Sequence, residues 1–243
     1  YCISLSNINN MKKYLLKYAL EFLVIVMGIS VSFYLDKIRK DGDKDTLSII
    51  IYQNLLNEIN EIEKYAESRE FLFTKDLESL IALINPKISG DSLITLRKVK
   101  KFQLVSFLNY RGFSPPNSVY NSIVGDGNLT YIQSIDLKKE LNKMHNTHFN
   151  SIDLNVDNEL EARKKIIEHI QINYPKIYLN GQFKYERGSE FYYKLKTIVD
   201  GDLTLQAYLY EKQIAMQIKN IGLNNYKESI SKIKNLLMME LSK

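Results

Sequence analysis

The chain has 243 residues, 45% of them hydrophobic and 25% charged, which is the composition of a folded protein and excludes disorder for its body. Net charge is +5, but 7 of the 33 basic residues lie between residues 12 and 44, and from Asp45 onward 26 basic face 24 acidic residues. No basic face for nucleic acid emerges from so even a balance, and with only 10 Gly and 4 Pro the chain is expected to build long helices.

Residues 1–10 precede Met11, which heads the run MKKYLLKYAL, and are read as a non-native or disordered extension. They hold Cys2, the single cysteine, so no internal disulfide is possible.

Residues 11–40 read as a transmembrane anchor. Tyr18–Leu35 is 18 residues, about 27 Å as a helix, close to the lower limit for crossing a hydrocarbon core. Lys12, Lys13, Lys17, Lys37, Arg39 and Lys40 flank it and can snorkel to the interfaces. Tyr14, Tyr18 and Tyr34 suit the same depth. A cleaved signal peptide is disfavoured, because no small-residue cleavage pattern follows the apolar run. Lysines before the span place the N-terminus inside and the body outside.

Glu21 lies within this segment. Spaced by seven from Gly28, which is four from Ser32, it falls on one helical stripe. Small residues on a stripe let membrane helices approach closely, and a carboxylate there would face a partner helix and not lipid. Two other readings stay open: Lys17, four residues earlier, can pair with Glu21 at the headgroups, or a ring of such carboxylates can line an oligomeric pore.

The run Glu21-Phe22-Leu23-Val24-Ile25-Val26-Met27-Gly28-Ile29 resembles the start of an uncharacterised family of small single-pass membrane proteins of Bacteroidota, a domain of unknown function. The family pattern is Glu, an apolar run and Gly-Ile, then a flank of mixed charge, matched loosely here by DKIRKDGDK. The family often has Trp in that flank and this chain has none. A second stretch, residues 118–145, is similar to the family through Tyr120, Ile123, Gly127, Leu129 and Ile132. The resemblance implies a bacterial source and a membrane-anchored helical body, and no activity.

Beyond the anchor, residues 43–243 are expected to form a helical bundle. Asp41, Asp43 and Asp45 imitate the start of a calcium loop, but Thr46 stands where Gly is needed and Tyr52 where Glu is needed. Asp43 or Asp45 is instead expected to cap a helix that continues to Ile84, where Asn85-Pro86 ends it. Gly90-Asp91-Ser92 opens a second helix to about Tyr110, and residues 111–135 form an irregular insert around a short helix from Ser118 to Val124. Asp136 is expected to cap a helix to Asn173, with Leu137, Leu141, Met144, His148, Ile152, Val156, Arg163, Ile167 and Ile170 on one stripe. Residues 174–189 read as a loop with a small hairpin. Helices are then predicted over 190–199, 203–221 and 225–241.

Signs of catalysis are absent from the sequence. His145 and His148 have a metal-compatible spacing, with Glu140 and His169 as the nearest further ligands, but nothing in the sequence brings the four together. No nucleophile elbow, metalloprotease motif or dinucleotide fingerprint occurs. The sequence therefore points to an all-α protein, an N-terminal transmembrane helix followed by an elongated antiparallel helical bundle. It is expected to be non-enzymatic, without metal or cofactor, in the bacterial inner membrane with a periplasmic body. Its expected work is binding, scaffolding or sensing as a homo-oligomer or beside another membrane protein, with a pore-forming effector as the alternative.

Overall fold

In the computed structural model the breaker-poor N-terminal third forms α1 (Leu5–Ile84). Residues 5–100, 106–183 and 189–243 are described, and within these the side chains of all but 5–19, 21, 38–41, 43, 100, 106, 180–183 and 189. Every described element is helical, so the chain is all-α. It divides into two units, residues 1–51 and 52–243.

In the first unit α1 includes residues 5–10 of the expected extension, and residues 1–4 lie outside the described residues. The expected cap at Asp43 or Asp45 is corrected, because both lie inside α1. A lone glycine costs a helix interior only about 1 kcal/mol, and the hydroxyls that could compete with the backbone bond back into the helix. Thr46 donates to the Gly42 carbonyl at 3.0 Å and Ser48 to that of Lys44 at 2.9 Å.

In the second unit, the 52–84 part of α1 buries Leu55, Ile59, Ile62, Ala66, Phe73, Leu80 and Leu83. Its antiparallel partner is α8 (Leu203–Leu241). Lys227 pairs with Glu70 at 2.5 Å and Lys234 with Glu63 at 2.6 Å, so numbers rise along one helix as they fall along the other. Between them lie α4 (Ile135–Asn142), a π-helical turn (Lys143–His148) and α5 (Phe149–Asn173), also antiparallel to α8. Here the N-cap is Ser134, whose hydroxyl accepts the Leu137 N–H at 3.2 Å, and not Asp136.

Further along α5 the predicted stripe drifts. Ala162 and Ile166 are buried where Arg163 and Ile167 were expected. The core phase there passes through Glu159, which a rule that keeps charge outside steps over.

The remaining helices are α2 (Gly90–Lys100), α3 (Ser118–Gly125), α6 (Pro175–Phe183) and α7 (Ser189–Gly201). The predicted continuation of α2 through 101–105 lies outside the described residues, and Ser106–Leu108 is a 3-10 turn. The expected hairpin is corrected over 175–183, which is α6, while 184–188 lie outside the described residues. Pro175 suits the first turn of a helix, the Tyr174 carbonyl accepts the Ile177 and Tyr178 N–H groups at 2.9 and 3.2 Å, and Ile177 is buried. The expected interruption between 221 and 225 does not occur, and α8 runs on past Gly222.

Candidate functional site

Two features stand apart from ordinary core packing, one in each unit. In the first, Leu20 and the large apolar residues from Phe22 to Leu35 are exposed, from 43% at Val26 to 72% at Phe33. Water is a poor neighbour for so long an apolar surface. A Cβ added at Gly28 meets nothing within 4 Å, and Ser32, one turn on, is exposed. These two predicted association residues thus lie on a surface that no described residue covers. Lys37 is exposed as well, whereas the side chains of Glu21, Lys12, Lys13, Lys17, Arg39 and Lys40 lie outside the described residues. Among the described residues no helix is long and apolar enough to cross a membrane.

The second feature is a buried charge cluster that the sequence reading missed. Lys212 and Lys219 on α8 are 0% and 1% exposed, and Glu159 on α5 is 2% exposed. The Lys219 ammonium pairs with Glu159 Oε2 and lies 4.0 Å over the Phe73 ring centre. The Lys212 ammonium lies 3.5 Å from Glu159 Oε1 and donates to the carbonyls of Phe107, at 2.9 Å, and Asn109. Asp76, which is paired with Arg111, acts on both lysines through space, and Arg111 on Lys219. Burial pulls Lys212 down to about 8, against the pull of Glu159 in the other direction, and lowers Lys219 for the same reason.

A lysine near neutrality is a chemical asset in an open site. Here its closure to solvent keeps any substrate away, and its ammonium is taken up by the Phe107 and Asn109 carbonyls. The cluster therefore fixes the 107–109 segment against α8 and sets the register of α5 on α8.

A signal for it was present in α8. Leu205, Leu209, Lys212, Met216, Lys219, Leu223, Tyr226, Ile230, Ile233 and Leu237 are all buried and follow alternating steps of four and three. The two lysines hold the core phase of an otherwise apolar repeat.

The histidines predicted as metal candidates do not converge, and among the described residues no group of side chains could hold a metal ion. His145 stacks on Tyr120 with ring centres 3.8 Å apart, and Glu140 accepts the Ser229 hydroxyl at 2.6 Å. His148 is lowered by burial and by Lys143. His169 Nε2 lies 2.6 Å from Asp202 Oδ2, which also accepts the Tyr174 hydroxyl at 2.9 Å. Burial pushes the Asp202 carboxyl up, but the bonds from His169, the Leu205 N–H and Tyr174 outweigh it and leave it below its ordinary range. Asp202 is thus the N-cap of α8 and its tie to α5.

Comparison of the chain with family models, with curated proteins and with solved structures gives no match.

Proposed function

We propose that the chain is a single-pass, membrane-anchored helical protein whose 52–243 bundle works in binding, scaffolding or sensing. In this reading residues 18–35 sit in lipid and associate with another copy through the stripe of Glu21, Gly28 and Ser32. The observation that carries it is the exposed apolar surface from Phe22 to Leu35. The described part of that surface is short of the ~20 residues a bilayer core asks for, and Tyr18–Glu21 in the sequence extend it to a tilt-free minimum. The resemblance of Glu21–Ile29 to the Bacteroidota membrane family supports the same reading and with it a bacterial inner membrane, while the lysines before the span favour a periplasmic bundle. The bundle contributes a fixed, charge-registered platform.

The test is extraction. Expressed in a bacterial host, the full chain is expected in the membrane pellet after an alkaline carbonate wash and in solution only after detergent. Recovery in the carbonate supernatant would overturn the anchor. With Cys2 replaced by Ser and a cysteine placed at Lys243, an impermeant maleimide is expected to label intact spheroplasts, and absence of labelling would put the body on the other side.

A further inference from the structure

The bundle carries an open groove of about 590 Å³ where the end of α5 meets α6 beside α7, within the size range of small-ligand sites. Its floor is apolar: Tyr174, Pro175, Ile177 and Ile198. Its rim carries Lys176 and Lys194, and no carboxylate lines it among the described residues. The neutral polar groups along it are already used. Thr197 donates to the Tyr193 carbonyl at 3.0 Å, Tyr174 to Asp202 at 2.9 Å, and Asn173 to the His169 carbonyl at 3.0 Å.

The lysines are what distinguish this groove. Elsewhere several lysines reach across the bundle to carboxylates, Lys165 to Glu211, Lys227 to Glu70 and Lys234 to Glu63. Lys176 has no hydrogen-bond or ion-pair partner among the described residues. Lys194 has only Glu190, one turn away on the same helix at 2.6 Å, with both side chains more than 60% exposed. A pair so exposed holds its lysine weakly and yields it readily to a better-placed anion.

We propose that this groove binds an amphipathic organic anion, its apolar body on Tyr174, Pro175, Ile177 and Ile198 and its single carboxylate or phosphate head between Lys176 and Lys194. A neutral apolar ligand would leave two ammonium groups unanswered at the rim. A small, fully polar anion would leave the apolar floor in water. Only a molecule with both parts satisfies the whole lining. The inference gives a ligand class to the sensing reading above, but it uses only residues 173–198 and does not depend on the anchor.

The chain has no tryptophan, so a single Thr197→Trp change places a lone reporter at the rim. The full-length variant, held in nanodiscs of zwitterionic lipid, is titrated with 11-bromoundecanoate, whose bromine quenches indole on contact, and with 11-bromoundecanol as the neutral control. Saturable quenching is expected for the acid, at least tenfold weaker for the alcohol, and at least tenfold weaker for the acid when Lys176→Gln and Lys194→Gln are added. Displacement by laurate or by dodecyl phosphate then identifies the preferred head. Helicity by circular dichroism, expected unchanged for these exposed positions, separates lost binding from lost fold, and Lys176→Glu alone repeats the test should the double variant misfold. Non-saturable quenching, equal quenching by acid and alcohol, or indifference to both lysines would each overturn the proposal. None of these results touches the anchor, which the carbonate wash tests by itself.

Discussion

Glu58, in the middle of α1, accepts the backbone N–H of Val119 at 2.6 Å from a position 61 residues away along the chain. It also accepts the Tyr120 N–H at 3.0 Å and the Ser118 hydroxyl at 3.4 Å. The residue at the local N-cap, Asn117, makes no side-chain cap bond. A distant carboxylate has taken over the capping of α3, where unpaired N–H groups and the helix dipole both favour negative charge. Glu58→Ala is expected to destabilise the bundle by about 2 kcal/mol, the scale of hydrogen bonds to a charged group. The Val119 and Tyr120 amides should then exchange with solvent at least tenfold faster than in the parent. Unchanged exchange at both amides would show that α3 does not depend on this cap.

Tertiary caps of this kind are not legible in sequence, because they join residues far apart. What was legible followed from local rules. Asn85-Pro86 does end α1, and the apolar spacing of Leu55, Ile59, Ile62 and Ala66 does face the core. The stripe through α5 failed at Glu159, where a paired charge occupies the core phase. The loop expected after Tyr174 failed because proline marks the first turn of a helix as readily as it marks a break. The groove beside α6 could not be foreseen from either error, since its lining comes from three helices whose packing no local pattern states. The buried lysines could have been found: Lys212 and Lys219 stand seven apart, in phase with Tyr226 and Ile233. That repeat was passed over because α8 was expected to break near Gly222.

Among the described residues Glu159 is the one counter-charge in direct contact with the buried lysines, its two oxygens facing one each. Glu159→Gln is expected to cost about 3–5 kcal/mol, because it leaves two desolvated ammonium groups without an opposing charge. The double change Glu159→Met with Lys219→Met should cost less than Glu159→Gln alone, since it removes a charge together with its partner. Denaturant melts of the four-member cycle measure this, and additive losses would refute the coupling. The Glu159→Gln defect should also shrink in alkali. Burial holds Lys212 down to about 8, below its unfolded value, so from there upward the unfolded chain keeps a proton that the folded chain has released, and stability rises with pH.

His145 offers a second titration of the same sign, in acid and not in alkali. Its ring lies flat on Tyr120, its Nε2 is buried without a partner, and burial lowers it to about 4. Between about 6.5 and 4 the unfolded chain therefore binds a proton that the folded chain refuses. Stability contributed by the neutral ring is complete above the unfolded value and falls as pH drops through this window. The loss from pH 7 to 4.5 should be at least 1 kcal/mol smaller in His145→Phe, which keeps the stack on Tyr120 and cannot charge. Parallel stability curves for the two proteins would place the acid sensitivity elsewhere.

Gly222 lets α5 and α8 approach closely. A Cβ there would lie 3.0 Å from Ile152 Cγ1 and 3.7 Å from Ser151 Oγ. In Gly222→Ala a helix-propensity gain of about 1 kcal/mol opposes the shift forced on Ile152, so little net change is expected. Gly222→Val adds two methyl groups that the contact cannot absorb, and should cost about 1–3 kcal/mol. Ile152→Ala, which removes the colliding atom, should make the valine nearly harmless when the two are combined. Equal tolerance of valine with and without Ile152 would mean that the helices part easily at this point.

Gly28 gives the most direct access to the proposed association of anchors. Its own helix turn aside, no described residue lies within 4 Å of a Cβ built there, so a larger side chain collides with no other described part of the molecule. Leucine in place of glycine also favours the helix by about 1 kcal/mol. Any loss caused by Gly28→Leu must then come from contact with a second chain, where a small residue sets the distance of closest approach. Energy transfer between labelled copies in liposomes should report association at least tenfold weaker, about 1.4 kcal/mol. Ser30→Leu, on the far side of the same helix turn, should leave association unchanged. Ser32→Leu should repeat the Gly28 result, because the two positions are one turn apart on the same stripe. Glu21→Gln should leave assembly nearly intact, since the amide keeps the length and hydrogen-bonding capacity of the acid. If Gly28→Leu and Ser30→Leu prove equally silent, the stripe is not the contact, and the exposed apolar surface serves lipid alone.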